Sequence, residues 1–431
     1  MLNKCLSTKI KQYFLSQINE IRVGGLSLVI RKSVTILRIV LRGLLIIAAA
    51  PIVLIIVVIS PVVLIRFGTM RSERIGHFAA DVEAYLCARD NKPKKQHIID
   101  IICCPEPVCN RQLQAMWKRT LRVTKRTQPW ELLGQACSFW TRGKKYQINF
   151  SGRSADYKLF LTTEPHVKFT NKEELQGKEL LEKLGIPSGA SWICMHNRDS
   201  EYLEEKLSGH NWSYHNHRDF SAKTMLLAAE ELSRRDYYVV RIGSIAKEAL
   251  ASADSKIIDY ASSSHRSDFA DIYLGAKCVA YIGSDSGIAT IPILFRHPVS
   301  YINYCPTQIT EIINHGIYQW PFITKHAWHK GKQRFLSQRE LFELGLEGAS
   351  EAHIFKNAGV ELIDNTAEEI RDLAIEIDHR LKNTWVPQEG DEELQEKYWA
   401  TFRKHAPLLQ QSNIKSRIGS AFLRKHSYLF D

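Results

Sequence analysis

Twenty-three consecutive residues without a charge, GLLIIAAAPIVLIIVVISPVVLI at 43–65, limit what this chain can become more than any other feature. A run of that length can cross the hydrocarbon core of a bilayer. It begins only at residue 43 and lacks a small-residue cleavage site, so it does not read as a signal peptide. Pro51 and Pro61 interrupt it, and a proline inside a helix removes a hydrogen bond and kinks or breaks the helix. Five Lys and Arg lie in residues 22–42 and three in 66–86. For a straight span that bias puts the large C-terminal part outside the cytoplasm. A segment broken at two prolines can instead enter and leave by one face, and this re-entrant form is the expectation. Arg31, Lys32, Arg38 and Arg42 gather on one side of a helix, which suits an anionic lipid surface.

A chain of 431 residues with 45% hydrophobic content has room for two domains plus extensions. Its formal charge of +12 favours anionic partners such as phosphates and acidic lipids. No nucleic-acid motif accompanies the charge, so no nucleic-acid partner is expected. The nine cysteines are odd in number, irregularly spaced and mostly in apolar stretches. They read as buried thiols in a reducing compartment. Cys103, Cys104 and Cys109 crowd together without zinc spacing, and no metal site is expected.

Four segments follow. Residues 1–65 form a basic amphipathic and hydrophobic membrane-anchoring segment. Residues 66–187 mix helices and short strands, including RIGHFA at 74–79, QHIIDIICC at 96–104 and a helix closed by Gly185 and Pro187. From about residue 188 to 363 the pattern is regular. SWICMHN, YYVVRIG, KIIDYA, VAYIGSDSGI and VSYINYCP read as strands, separated by helices such as SAKTMLLAAEELSRRD and RSDFADIYLGAKC. That alternation predicts a parallel sheet wound on both sides. Residues 364–431 form late helices and a tail, expected to pack back on the first domain.

Several strand ends carry groups suited to an anion. In YIGSDSGIATIPILF, Ser284, Asp285, Ser286 and Gly287 separate a strand from an apolar helix. Backbone N–H groups and a helix N-terminus can converge there on a diphosphate. The strand ends at His196, Asn197 and Arg198, and at Arg241, belong to the same sheet edge; Arg holds two phosphate oxygens at once. The loop GHNWSYHNHRDFS offers His215 and Arg218 to a sugar or phosphate. His77, with Asp81 and Glu83, opens a helix and can take a proton near neutral pH. Each group also has a plain structural reading: a cap, a surface ion pair or an ordinary turn.

RIGHFA, MHNRDSEYLEE, YHNHRDFS, RSDFADIYLGAKC, IGSDSGI, LQEKYWATF and RIGSAFLRKH together resemble a family of bacterial glycosyltransferases linked to surface polysaccharide synthesis. The resemblance runs from about residue 66 to the C-terminus. It extends more distantly to fucosyltransferase-type proteins, whose His-x-Arg motif at a strand end His196 and Arg198 would match. The resemblance implies a GT-B-like fold: two Rossmann-like domains, here behind a membrane-associated helical segment. It implies transfer of a sugar from a nucleotide-sugar donor to a membrane-bound or polysaccharide acceptor, without metal or cofactor, at the cytoplasmic face of the inner membrane. The residues implied are His77 and Asp199 for catalysis, and His196, Asn197, Arg198, His215, Arg218, Arg241, Ser284, Asp285, Ser286 and Gly287 for the donor. No acidic pair of the kind many retaining GT-B enzymes use follows SDSG. Two other classes fit the same residues: a different nucleotide-dependent phosphosugar enzyme, and a membrane-anchored nucleotide-binding or scaffold protein with a degenerate site.

Overall fold

A computed structural model describes residues 29–91, 97–124, 127–150, 157–198, 217–243, 248–315, 319–405 and 414–430. The chain is mixed α/β with parallel sheets, and it divides into two compact units. Unit 1 comprises Met1–Thr69, Lys94–Cys104 and Arg122–Ile148; unit 2 comprises Met70–Pro93, Pro105–Leu121 and Asn149–Asp431.

In unit 1, β1 (Val63–Thr69), β2 (His97–Cys103), β3 (Val123–Thr124) and β4 (Gln147–Ile148) form a parallel sheet in the order β3-β2-β1-β4. The register of β1 on β2 runs from Val63 opposite His97 to Thr69 opposite Cys103. The last three residues of the apolar run, Val63–Ile65, are therefore sheet residues. The rest of the run is helical. Helix Val29–Ala48 meets helix Ala50–Ile59 at a bend of 47°. Pro51 explains the position: it fits the first turn of the second helix, where its missing N–H is not needed. Pro61 lies in the turn after Ile59. No single helix among the described residues is long and apolar enough to cross a membrane. The second helix buries Val53 and Ile56 against Phe67 of β1, Tyr146, and Ala136 and Cys137 of helix Thr127–Thr141.

In unit 2, β5 (Trp192–His196), β6 (Tyr238–Arg241), β7 (Ile257–Ile258), β8 (Ala280–Gly283) and β9 (Val299–Tyr301) form a parallel sheet, ordered β7-β6-β5-β8-β9. The runs WICM and AYIG are buried along their whole length, as strands covered on both faces must be. β10 (Pro321–Phe322) follows, and Ile323 donates to the Tyr301 carbonyl at 3.0 Å, so the hydrogen bonding continues outward from β9. β11 (His326–His329), β12 (Arg334–Phe335) and β13 (Val360–Ile363) make a small antiparallel sheet. Helix Ala367–Leu381 starts with a capping box, Thr366 with Glu369, and buries Ile370, Leu373 and Ile377. The tail returns as β14 (Arg417–Ile418), parallel to β10. Gln395 fixes it there, donating to the Ile418 carbonyl at 2.6 Å and accepting from its N–H at 3.1 Å.

Helix Ile75–Asp90 also belongs to unit 2. Phe78, Val82 and Leu86 are buried along it, and Tyr85 is less so. Its core acid Glu83 pairs with Arg296 at 2.6 Å. The eight cysteines within the described residues are free, and all but Cys109 are buried.

Candidate functional site

The strand order of unit 2 has one place where direction reverses. From β5 the chain winds outward through β6 and β7, then returns to the other side of β5 as β8. A crevice opens at the carboxyl ends of the two strands flanking such a switch point, and open α/β sheets bind ligands there. The two strand ends are in direct register: His196 faces Gly283, and the Ser284 N–H donates to the His196 carbonyl at 2.9 Å. Nothing larger than glycine fits at 283. A Cβ there would lie 2.3 Å from the His196 carbonyl oxygen and 2.8 Å from the Tyr281 hydroxyl.

His196 is oriented by its Nδ1, 2.8 Å from the Ile242 carbonyl. A carbonyl only accepts, so Nδ1 carries the proton and Nε2 keeps its lone pair. Burial, with Arg241 and Arg198 nearby, drops its pKa to about 4. The imidazole is thus neutral near pH 7, and a neutral ring can accept a hydrogen bond at Nε2.

The cations at this edge are held by carboxylates. Arg198 bonds to Asp219, and Arg218 reaches the Asp285 carboxylate at 3.3 Å. Arg241 is buried. It donates to Asn197 Oδ1 at 3.0 Å, to the Glu248 carbonyl at 2.6 Å and to both Asp259 oxygens at 3.2 Å. Asn197 in turn donates to the Phe220 carbonyl at 3.0 Å. Asn197 and Arg241 thus tie β5, β6 and the 217–221 loop together. A fourth cation was not read from the sequence. Lys325, only 4% exposed, donates to the Asp219 carbonyl at 2.9 Å and to Asp364 at 2.5 Å. The available signal was a lone lysine inside the apolar run FITKHAW.

Ser284, Asp285, Ser286 and Gly287 turn the chain away from β8. The Ser284 hydroxyl is buried and has no hydrogen-bond partner among the described residues. The expectation of an apolar helix directly after this loop needs correction. A 3-10 turn, Gly287–Ala289, leads into a helix of only five residues, Thr290–Leu294, which contains Pro292. So short a helix carries little macrodipole, which leaves backbone N–H groups and side chains to meet an anion. Gly287 has a second duty: a Cβ on it would lie 3.0 Å from Ile75 Cγ2 and 3.1 Å from the Gly76 nitrogen.

That contact brings His77 to the same loop, since it follows Gly76 at the start of helix Ile75–Asp90. His77 Nδ1 lies 3.1 Å from Asp81 and 3.4 Å from Arg71, and Tyr157 donates to the other Asp81 oxygen at 3.0 Å. Asp81 is buried, so its carboxylate is fixed between two partners. The Asp81 carboxylate only accepts, so its bond puts a proton on Nδ1 and leaves Nε2 as an acceptor; the Arg71 guanidinium, which only donates, is then a neighbour of Nδ1 and not its hydrogen-bond partner. Asp199 and His215 lie outside the described residues.

Two clusters bring histidines and acids together away from the strand ends. Glu83, Cys87 and His166 approach one another with the Arg296 guanidinium on Glu83. His326 and His426 each contact one oxygen of Glu369, at 3.1 and 2.5 Å. These are hydrogen-bonding distances.

No family model matches the sequence, and no curated protein matches it. Solved structures with similar chain paths include ADP-heptose lipopolysaccharide heptosyltransferase II of E. coli, at 11% identity and TM-score 0.34, covering 56% of this chain and 86% of that one. A glycosyl transferase family 9 structure from Veillonella parvula matches at 10% identity and TM-score 0.32, covering 55% and 79%. An E. coli heptosyltransferase determined with ADP-2-deoxy-2-fluoro heptose matches at 9% identity and TM-score 0.28, covering 56% and 89%. These likenesses do not establish a family for the chain.

Proposed function

We propose that the chain is a glycosyltransferase that binds a nucleotide-sugar donor at the carboxyl ends of β5 and β8. The observation that carries the proposal is the switch point itself, where His196 and Gly283–Ser284 are in register and Arg198, Arg218 and Lys325 border the same loops. In this reading the fold is of GT-B type. The carboxylates that hold Arg198 and Arg218 give them up to the donor diphosphate, whose oxygens make the stronger bidentate partner. His77, oriented by Asp81, takes the proton of an acceptor hydroxyl. The hydroxyl oxygen bonds to the anomeric carbon, and the bond from that carbon to the diphosphate oxygen breaks. The electron pair stays on the nucleoside diphosphate, where the basic side chains meet the charge. Asn197 and Arg241 position rather than touch the donor, because their polar atoms are already engaged inside the protein. The acceptor is membrane-bound or a growing polysaccharide, and the enzyme works at the cytoplasmic face of the inner membrane. Support for that location comes from the basic, apolar N-terminal region and the free buried thiols.

The test is a thermal-shift screen of the purified full-length protein against nucleotide sugars and nucleoside diphosphates, followed by release of nucleoside diphosphate with a lipid acceptor. The expected result is stabilisation by one nucleotide class, and release that requires acceptor. Stabilisation without transfer, together with epimerised or rearranged sugar, would move the chain to another phosphosugar enzyme class. No stabilisation by any nucleotide would remove the donor site altogether.

A further inference from the structure

Among the described residues, large apolar side chains are exposed very unevenly. Seventeen of them lie between Val29 and Val62, and three more, Ile98, Phe139 and Trp140, belong to the same unit. Five are scattered over unit 2: Leu161, Leu175, Leu344, Ile363 and Val386. An apolar surface of that size on a folded unit marks an interaction site. Its charge narrows the partner. No acid occurs from residue 29 to residue 72, and Arg31, Lys32, Arg38 and Arg42 lie along the first helix. Arg142, Lys144 and Lys145 are exposed just beyond Phe139 and Trp140. Apolar side chains with a basic rim and an interfacial tryptophan fit an anionic leaflet.

The contacts of the bend tell how far this surface can enter. One side of the helix pair, Ile46, Ala49, Val53, Ile56 and Val57, packs into the unit's own core. At the bend the Trp140 indole N–H donates to the Ile46 carbonyl at 3.0 Å. Arg42 is held from the same helix, donating to Gln135 at 2.8 Å. Trp140 thus ties helix Thr127–Thr141 to the backbone of the first helix at the bend. The bend is therefore braced by the sheet unit instead of hinging freely.

We infer that helices Val29–Ala48 and Ala50–Ile59, with Phe139 and Trp140, form one surface that inserts into a single anionic leaflet and does not cross the bilayer. The inference deepens the membrane association proposed above and can fail separately from it. The test uses full-length protein with vesicles of phosphatidylglycerol or phosphatidylcholine. Binding should favour phosphatidylglycerol and weaken with salt. Trp140→Ala and Leu54→Lys should each weaken binding about tenfold or more, while melting of the lipid-free protein changes little for Leu54→Lys, whose side chain is exposed. Cysteines placed at Ile30 and at Val62 should react equally with an impermeant maleimide added outside the vesicles. Reaction at only one of the two would mean a crossing segment, and the single-leaflet surface would be wrong while membrane association stood. No vesicle binding would sink both. A lipid-free dimer disrupted by Leu54→Lys, without vesicle binding, would give the face to a second copy of the chain.

Discussion

The two parallel sheets solve the problem of burial differently. In unit 2 the strands WICM and AYIG are buried throughout, and polarity is confined to their carboxyl ends. In unit 1, β1 and β2 reach full burial only near their carboxyl ends, and the helices beside them leave most of their apolar side chains outside. Unit 2 covers these strands with its own side chains, whereas unit 1 leaves a broad apolar surface exposed. On the readings proposed above, the same layer of helix on sheet yields a site in one case and a docking surface in the other, depending on where the sequence puts its charges.

Gly283→Ala should produce the largest break in that contrast. The added methyl would meet the His196 carbonyl oxygen at 2.3 Å and the His196 nitrogen at 2.9 Å, and these are backbone atoms that cannot swing aside. β5 and β8 would have to part at the switch point, at a cost of about 4 kcal/mol or more. Chemical unfolding should show the loss in unit 2, along with any nucleotide binding. Near-normal stability would mean that the two strand ends are looser than their register implies.

Arg198→Ala comes next. Arg198 sits at the strand end, outside the core, and its partner Asp219 borders the crevice. The variant should fold, and nucleotide or nucleoside-diphosphate affinity should fall by about 1.5–3 kcal/mol, the value of a charge-assisted hydrogen bond. Calorimetric titration of the folded variant decides the matter: unchanged affinity removes Arg198 from the donor site.

How much of this could be read from the chain depends on the range of the interactions. Alternation of strand and helix from residue 188 was legible because each strand is an uninterrupted apolar run with a polar end. The polar ends of β5 and β8 pointed to the same edge for that reason. The partners of the arginines were not legible: Asp219, Asp259, Asp285 and Asp364 lie between 18 and 67 residues away from the arginines or lysine they hold. Lys325 escaped notice because one lysine in FITKHAW has no periodicity to mark it. The apolar run at 43–65 was visible as a whole, but its division into helix, turn and the start of β1 follows from tertiary packing. Val53 and Ile56 look no different in sequence from Leu54 and Ile55, which stay exposed.

A smaller effect separates the units by pH. His166 has its pKa pushed up to about 10 by hydrogen bonds to the Cys87 sulfur and to Glu83, Asp90 adding to them. A histidine raised in the folded state stabilises fully below its unfolded pKa of about 6.5, and that stabilisation is lost as pH climbs towards the folded value. Melting of unit 2 should therefore decline between about pH 6.5 and pH 10, the range set by these two values. His166→Gln should lower stability below pH 6.5 and flatten the decline. A parallel decline in wild type and variant would show that other groups govern this range.

Gly43→Ala should give the smallest effect, and with the opposite sign. Gly43 lies inside helix Val29–Ala48, and nothing stands within 4 Å of the position a Cβ would take. Replacing glycine by alanine in a helix interior is worth about 1 kcal/mol, because the backbone has less freedom to lose. At Gly283 the same methyl is ruinous; at Gly43 it should stabilise, and only locally. Amide exchange over residues 29–48 should slow about fivefold, the rate equivalent of 1 kcal/mol, whereas exchange in β5, β6 and β8 stays unchanged. If exchange slowed in unit 2 as well, the two units would unfold as one, and the proposed division between a donor site in unit 2 and a lipid-facing surface in unit 1 would have to be withdrawn.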